Sequence, residues 1–171
     1  VLSRLVQEGK ILRIQNSIYY KPEFNRFLKG RPVPPDVNEV IKVISNRNKE
    51  TLQIHGSSAV NKLGLSTQVP LTKVFYTNGP SREVIIAGTR VKFIHTENQN
   101  ILQASGTEVG MALSALIFLG REHVDQEVVR QVKSRLSENH FKRLKRMQMS
   151  SWLKERLSDP AVKESSYALA G

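Results

Sequence analysis

The 171-residue chain contains no cysteine, which excludes disulfide bonds and thiolate chemistry. Its longest apolar run, residues 109–120, falls short of the roughly 20 residues that span a bilayer. No signal-peptide pattern is visible. From these absences we expect a protein of the reducing cytoplasm without a membrane partner.

Aspartate is scarce, and the three aspartates are Asp36, Asp125 and Asp159. Nucleotide-transferring enzymes with a two-metal site need paired carboxylates shortly after a Gly-Ser turn, yet no aspartate lies between residues 37 and 124. The four histidines are widely spaced and have no cysteine partners, so no zinc spacing is matched. We therefore expect neither a metal nor another cofactor.

Residues 55–60 read HGSSAV, which is similar to part of an active site. The hydrolase pattern G-x-S-x-G needs a second glycine where Val60 stands, and the phosphate-loop pattern is absent. A catalytic serine at Ser57 or Ser58 stays open as an alternative. The favoured interpretation is that one of these serines caps a short helix and that the protein is not an enzyme.

The charge is strongly basic, with 26 Lys/Arg against 15 Asp/Glu and a net charge of +11. Residues 1–34 carry seven basic and two acidic residues, and residues 121–157 carry ten basic and five acidic residues. The middle, residues 35–120, is nearly neutral, with eight against six. Basic ends beside a neutral core favour a nucleic-acid partner, although a solvated basic surface has the same composition.

The N-terminal segment has the pattern of a helix followed by a hairpin. Leu2, Leu5 and Val6 share one helix face, Gly9 stands at a left-handed cap position, and residues 10–14 and 18–21 are β-rich. This is how a winged helix-turn-helix ends, so we expect its first helices upstream of Val1. The predicted DNA contacts are Arg4, Lys10, Arg13, Asn16, Ser17 and Lys21. An ordinary hairpin packed on the main domain is the alternative.

Residues 22–35 hold four of the seven prolines and predict a boundary between domains at 1–30 and 31–171. Asp36 and Glu39 suggest a capping box for a helix that runs to about residue 48. Strands are predicted at 51–54, 72–77, 82–88 and 90–96, the last two joined by a tight turn. Helices are predicted at 107–120 and 124–136, and helical character continues to 157 after a bend near 137–140.

The helical region 121–157 contains a second basic cluster. Phe141 and Leu144 share one helix face, and the basic residues around them are Lys142, Arg143, Lys145 and Arg146. These four are predicted to form a nucleic-acid or partner surface. The alternative is an amphipathic helix with solvated lysines and arginines.

Two phrases in the middle of the chain are specific: GSSAVNKLGLSTQVP at 56–70 and YTNGPSR at 76–82, followed by Phe93 and His95. With the N-terminal pattern they resemble the AbiEi-type antitoxin family of bacterial abortive-infection and toxin–antitoxin loci, in its transcriptional-regulator-like branch. The resemblance covers about residues 2–120. Its residues of interest are Gly56, Ser57, Asn61, Gly64 and Gly79 as structural positions, and Arg82 and His95 as part of an antitoxin or partner surface.

The resemblance implies an α+β protein in which the remnant of an N-terminal winged helix-turn-helix joins a mixed α/β antitoxin domain with a small sheet and a C-terminal helical region. It implies a type IV antitoxin that represses its own promoter and counteracts a nucleotidyltransferase-like toxin without requiring a stable complex with it. RNA is a further expected partner, through the basic region. A stand-alone DNA-binding regulator and, less favoured, an enzyme acting on nucleic acid are the alternatives.

Overall fold

A computed structural model describes residues 1–15 and 17–159, apart from the side chain of Gln15. Within this part the chain is an α+β fold, as predicted. The strands are β1 (Leu12–Gln15), β2 (Ile18–Tyr20), β3 (Leu52–Ile54), β4 (Lys73–Thr77), β5 (Arg82–Ile86) and β6 (Thr89–His95). The helices are α1 (Leu2–Gln7), α2 (Val37–Asn48), α3 (Gly56–Lys62), α4 (Glu108–His123), α5 (Gln126–Arg135), α6 (Glu138–Arg146) and α7 (Ser151–Ser158), with a 3-10 helix at Arg26–Leu28.

The N-terminal unit consists of α1 and the antiparallel β1–β2 hairpin. Gly9 adopts a left-handed conformation with φ +67°, and the next two amides donate to the carbonyl of Leu5. Ser17, in the hairpin turn, also has a positive φ of 59°. The predicted helix, glycine cap and hairpin are therefore confirmed within the described residues.

The main sheet has four strands in the order β3-β4-β6-β5. The central strands β4 and β6 are parallel, and each edge strand is antiparallel to its neighbour. Ala87 and Gly88 join β5 to β6 with φ values of 47° and 79°, as a two-residue hairpin turn requires. The four predicted strands are confirmed, while the strand order depends on a crossover that local patterns do not show.

One face of this sheet packs against α2 and the β1–β2 hairpin. The buried side chains of this sheet cluster are Ile18, Val40, Ile41, Ile44, Ile86, Val91 and Phe93. Asp36 caps α2 by accepting hydrogen bonds from two amides of its first turn, as predicted, while the carboxylate of Glu39 accepts from Lys42. Because Ile18 lies in this cluster at 5% exposure, the hairpin is packed on the sheet across the predicted boundary near residue 30.

Helices α3 to α7 enclose a second core, which centres on α4. Side chains of Thr107, Asp125 and Ser137 cap α4, α5 and α6. The predicted bend after residue 136 is confirmed, but the segment 140–157 is divided between two helices, α6 and α7. No helix among the described residues has the length and apolar character to cross a bilayer.

Candidate nucleic-acid interface

Basic residues of α1 and the hairpin lie on the surface. Arg4 and Lys10 each place a nitrogen 2.8 Å from a carboxylate oxygen of Glu8, and their side chains are 83% and 67% exposed. Hydrogen bonds from Lys10 and Arg4 lower the pKa of Glu8. Exposed pairs of this kind add little stability, so a phosphate group can compete with Glu8 for both cations.

The hairpin separates its apolar and basic side chains. Ile14 packs against the sheet cluster. The exposed Arg13 pairs with Tyr19, the strand neighbour of the buried Ile18, so it lies on the opposite face of the hairpin. Ser17 and Lys21 are also exposed, in the turn and directly after β2. The structure thus places three of the predicted contacts on the outer side of the hairpin. Asn16 lies outside the described residues.

The segment after the hairpin, predicted only as a linker, presents exposed aromatic rings. Phe24 and Phe27 are 65% and 85% exposed, and Leu28 is 40% exposed. The backbone is nonetheless ordered by hydrogen bonds, because the side chain of Asn25 accepts from the amide of Phe27 at 2.9 Å and Phe24 forms a β-bridge with Pro32. These rings are therefore held at the surface by the local fold.

Basic residues alternate with these rings. Arg26, Lys29 and Arg31 are all exposed, and together with the rings they form what we call the aromatic–basic loop, residues 24–31. Aromatic faces stack on bases and cations bind phosphates, so this composition suits nucleic acid. The signal was present in the sequence as FNRFLKGR, and the four prolines around it favoured the interpretation as a linker.

Helix α6 carries the second basic surface. Phe141 and Leu144 are buried in the helical core, so the basic side chains occupy the other faces of the helix. All four predicted residues are at least partly exposed, namely Lys142, Arg143, Lys145 and Arg146. Lys142 forms an exposed i,i+4 pair with Glu138 at 2.6 Å, and the hydrogen bond from Lys142 lowers the pKa of Glu138.

Arg82, predicted for a partner surface, directs its guanidinium into the fold. It binds the carboxylate of Glu50 through two hydrogen bonds of 2.9 and 2.6 Å, and it lies 4.3 Å from the ring centroid of Phe93. The side chains of Arg82 and Glu50 are only 23% and 6% exposed. The pair connects the segment after α2 to the edge strand β5, and its geometry is that of a structural contact.

The turn that precedes Arg82 is fixed by the same kind of contact. The side chain of Asn78 accepts a hydrogen bond from the amide of Thr51, and the amide of His95 donates to the hydroxyl of Ser81. The Nδ1 atom of His95 lies 2.9 Å from the carbonyl oxygen of Gly79. A Cβ at Gly79 would overlap the carboxylate of Glu50, so a larger residue there would force the Glu50 side chain to move.

His55, and not a serine, is the N-cap of α3. Its Nδ1 accepts the amide hydrogen of Ser57 at 3.2 Å and lies 2.8 Å from the Ser57 hydroxyl. The predicted serine cap is therefore wrong, because a neutral imidazole supplies the acceptor one residue before the helix. The His55 ring lies against Tyr76 and Phe118, and burial lowers its pKa. The Ser57–His55 pair is also the arrangement from which a serine nucleophile could be built.

The remaining residues of the 56–70 phrase have structural contacts. A Cβ at Gly56 would overlap Phe118, which confirms the predicted close approach. Gly64 ends α3 with φ +71°, and the side-chain amide of Asn61 donates to the carbonyl of Ser66. Among the described residues, no group of three or more His, Asp or Glu side chains is arranged to hold a metal ion.

The sequence model of one protein family matches residues 1–144. The chain belongs to DUF6088, a family of unknown function. No curated protein and no solved structure matches the chain. The DUF6088 region begins in the N-terminal unit and ends within α6, so it spans the aromatic–basic loop, the sheet and most of the helical core as one family unit.

Proposed function

We propose that this DUF6088 protein is a DNA-binding antitoxin of a type IV, AbiE-like toxin–antitoxin locus in the cytoplasm. In this proposal α1, the hairpin and the aromatic–basic loop bind promoter DNA of the locus and repress it. The protein also counteracts a nucleotidyltransferase-like toxin encoded beside it, and it does so without catalysis. The antitoxin role is supported by the resemblance of residues 2–120 to AbiEi-type antitoxins.

The observation that supports DNA binding best is the arrangement of the hairpin. Ile14 and Ile18 fix its inner face on the sheet cluster, and Arg13 and Lys21 remain exposed. A wing needs this combination, because side chains that contact phosphates must be presented by a rigid backbone. The net charge of +11 adds long-range attraction for nucleic acid.

The DNA-binding part is tested with the full chain and a labelled duplex from upstream of its own gene. The double variant Lys10→Ala/Arg13→Ala should bind more weakly, and the slope of log K against log salt should become shallower by about 2, one for each lost phosphate contact. The double variant Lys92→Ala/Lys154→Ala, which removes two exposed lysines elsewhere, is the charge-matched control. If both double variants bind with equal affinity and equal salt slope, the hairpin is not part of the DNA interface.

The antitoxin part is tested by growth rescue, with the full chain expressed beside the product of the neighbouring gene. Rescue should persist in Lys10→Ala/Arg13→Ala when both proteins are expressed from foreign promoters, because protection is proposed to be separate from repression. DNA binding without rescue would favour a stand-alone regulator. Loss of rescue in a folded Ser57→Ala variant would favour an enzyme that uses the Ser57–His55 pair.

A further inference from the structure

A groove runs along β3, one of the two edge strands of the main sheet. It is a cavity of about 600 Å³, lined by the five consecutive residues 50–54, by α2 and by the start of α4. Consecutive side chains of a strand point to opposite faces. Five residues in a row can therefore line one cavity only where it follows the backbone edge. We call this cavity the β3 groove.

Backbone groups of β3 point into this groove. The amide of His55 donates to the carbonyl of Val74 at 3.0 Å, which makes these two residues a hydrogen-bonded pair of the antiparallel ladder. Such pairs alternate, so Leu52 and Ile54 direct their N–H and C=O groups away from β4. The Ile54 carbonyl accepts from the hydroxyl of Ser114. The register turns the N–H and C=O of Leu52 away from β4, and neither group takes part in a turn, loop or cap hydrogen bond among the described residues.

The side chains around these groups are apolar at the centre and basic at the rim. The apolar lining consists of Ile41, Leu52, Ile54, Phe75 and Met111. Of the two acidic residues of the lining, Glu50 binds Arg82, and an oxygen of Glu108 lies 3.0 Å from the Nδ1 atom of His140. Lys62 lines the groove and has no acidic partner among the described residues. The groove therefore has the positive charge of Lys62 at its edge.

We propose that the β3 groove binds an extended segment of a partner protein, which pairs with β3 as an added strand. A polypeptide backbone offers a donor and an acceptor at the spacing of the Leu52 N–H and C=O, and an exposed strand edge templates the addition of such a strand. The segment carries apolar side chains at alternate positions and an acidic residue beside Lys62. This inference goes beyond DNA binding and antitoxin activity and does not depend on either.

The test is to select binders of the full chain from a library of random heptapeptides displayed on phage. Enriched peptides should alternate apolar residues and include an acidic one, and the Leu52 amide should become protected from hydrogen exchange when a synthetic copy binds. Leu52→Pro removes the outward N–H, a change that an edge strand tolerates, and should weaken binding about tenfold or more. Leu52→Ala, which shortens the side chain but keeps the N–H, is the matched control and should weaken it less.

A second measurement covers the case in which Leu52→Pro does not fold, as judged by circular dichroism. The selected peptide is then N-methylated at one amide at a time, and binding should be lost at the position whose amide pairs with the Leu52 carbonyl and kept at the two positions beside it. Lys62→Glu should weaken the same peptide, and Lys92→Glu, on the exposed face of the sheet, should not. A library without enriched peptides would overturn the proposal. So would binding that is insensitive to both kinds of backbone change, or a dimer of this chain that Leu52→Pro dissolves, which would assign the edge to a second copy.

Discussion

The turn at residues 78–82 and the N-terminal surface use their polar side chains in opposite ways. The N-terminal surface comprises α1, the hairpin and the aromatic–basic loop. Sequence patterns predict functional contacts in α1, in the hairpin and at Arg82 of the turn, but only a linker at the loop. In the turn, Asn78, Ser81 and Arg82 bind groups of the same chain, and Arg82 with Glu50 is largely withdrawn from water. On the N-terminal surface, the basic side chains and two phenylalanine rings face the solvent.

This difference shows that a specific phrase in a sequence can be specific for structural reasons. The segment YTNGPSR connects β4, β5 and the segment after α2, because Asn78 and Arg82 bind Thr51 and Glu50. Loss of the Arg82 guanidinium would leave the buried carboxylate of Glu50 without its partner. A surface that binds another molecule has the reverse property. Its side chains are exposed, and where they are paired, as Arg4 and Lys10 are with Glu8, the pairs are exposed too, so their removal costs little stability.

The largest loss of stability is expected for Arg82→Ala. The substitution leaves the carboxylate of Glu50, 6% exposed, without its guanidinium partner, and breaking a buried pair in this way costs about 3–5 kcal/mol. The free energy of unfolding from urea titrations measures it. Arg90→Ala is the control, because its pair with Glu83 is exposed on both sides and its loss should cost no more than about 1 kcal/mol. Equal losses for both variants would contradict the structural role of Arg82.

Gly79→Ala should come next, at about 1–3 kcal/mol, because the new Cβ overlaps the Glu50 side chain and forces it from Arg82. A double-mutant cycle with Glu50→Ala isolates this effect. Once Glu50 is truncated, Gly79→Ala should cost markedly less than it does in the wild-type chain. Additive losses in the cycle would show that Gly79 is required for another reason.

Removal of the imidazole cap should cost about 1 kcal/mol in His55→Ala, the usual value of an N-cap. The effect should depend on pH. Burial lowers the pKa of His55 below its ordinary value of 6.5, so the unfolded chain takes up the proton first. The contribution of His55 is therefore complete above about 6.5 and is lost as the pH falls through the folded-state pKa.

The matched variant for this measurement is His55→Asn, which keeps an oxygen acceptor at the cap and cannot titrate in this range. As the pH falls from 7 to 5, the unfolding free energy of the wild type should decrease relative to that of His55→Asn. Since the other histidines are the same in both proteins, their titration cancels from the difference. A difference that stays constant with pH would exclude His55 as the titrating group.

Local chemistry made most elements of this fold predictable. Gly9, Gly64 and the Ala87–Gly88 turn have the positive φ values that mark ends and turns, and Asp36 stands at the cap of α2. The strand order and the inward direction of Arg82 were not predictable, because both depend on partners distant in the sequence, such as Glu50. His55 was missed as a cap because Ser, Thr, Asp and Asn are the usual N-cap residues.

The smallest effect on stability, and the sharpest test of the N-terminal surface, is expected for Phe27→Ala in the aromatic–basic loop. The side chain is 85% exposed, so the unfolding free energy should change by no more than about 0.5 kcal/mol. If the ring packs on nucleic acid, affinity for the upstream duplex should fall while the salt slope stays unchanged, because no phosphate contact is lost.

Arg26→Ala in the same loop should instead make the slope shallower by about 1. Leu71→Ala, which removes a side chain that is 99% exposed elsewhere, is the control for loss of an exposed apolar group. If the loop variants bind DNA with the same affinity and salt slope as Leu71→Ala, the interface is restricted to α1 and the hairpin. The two rings would then be available to another partner.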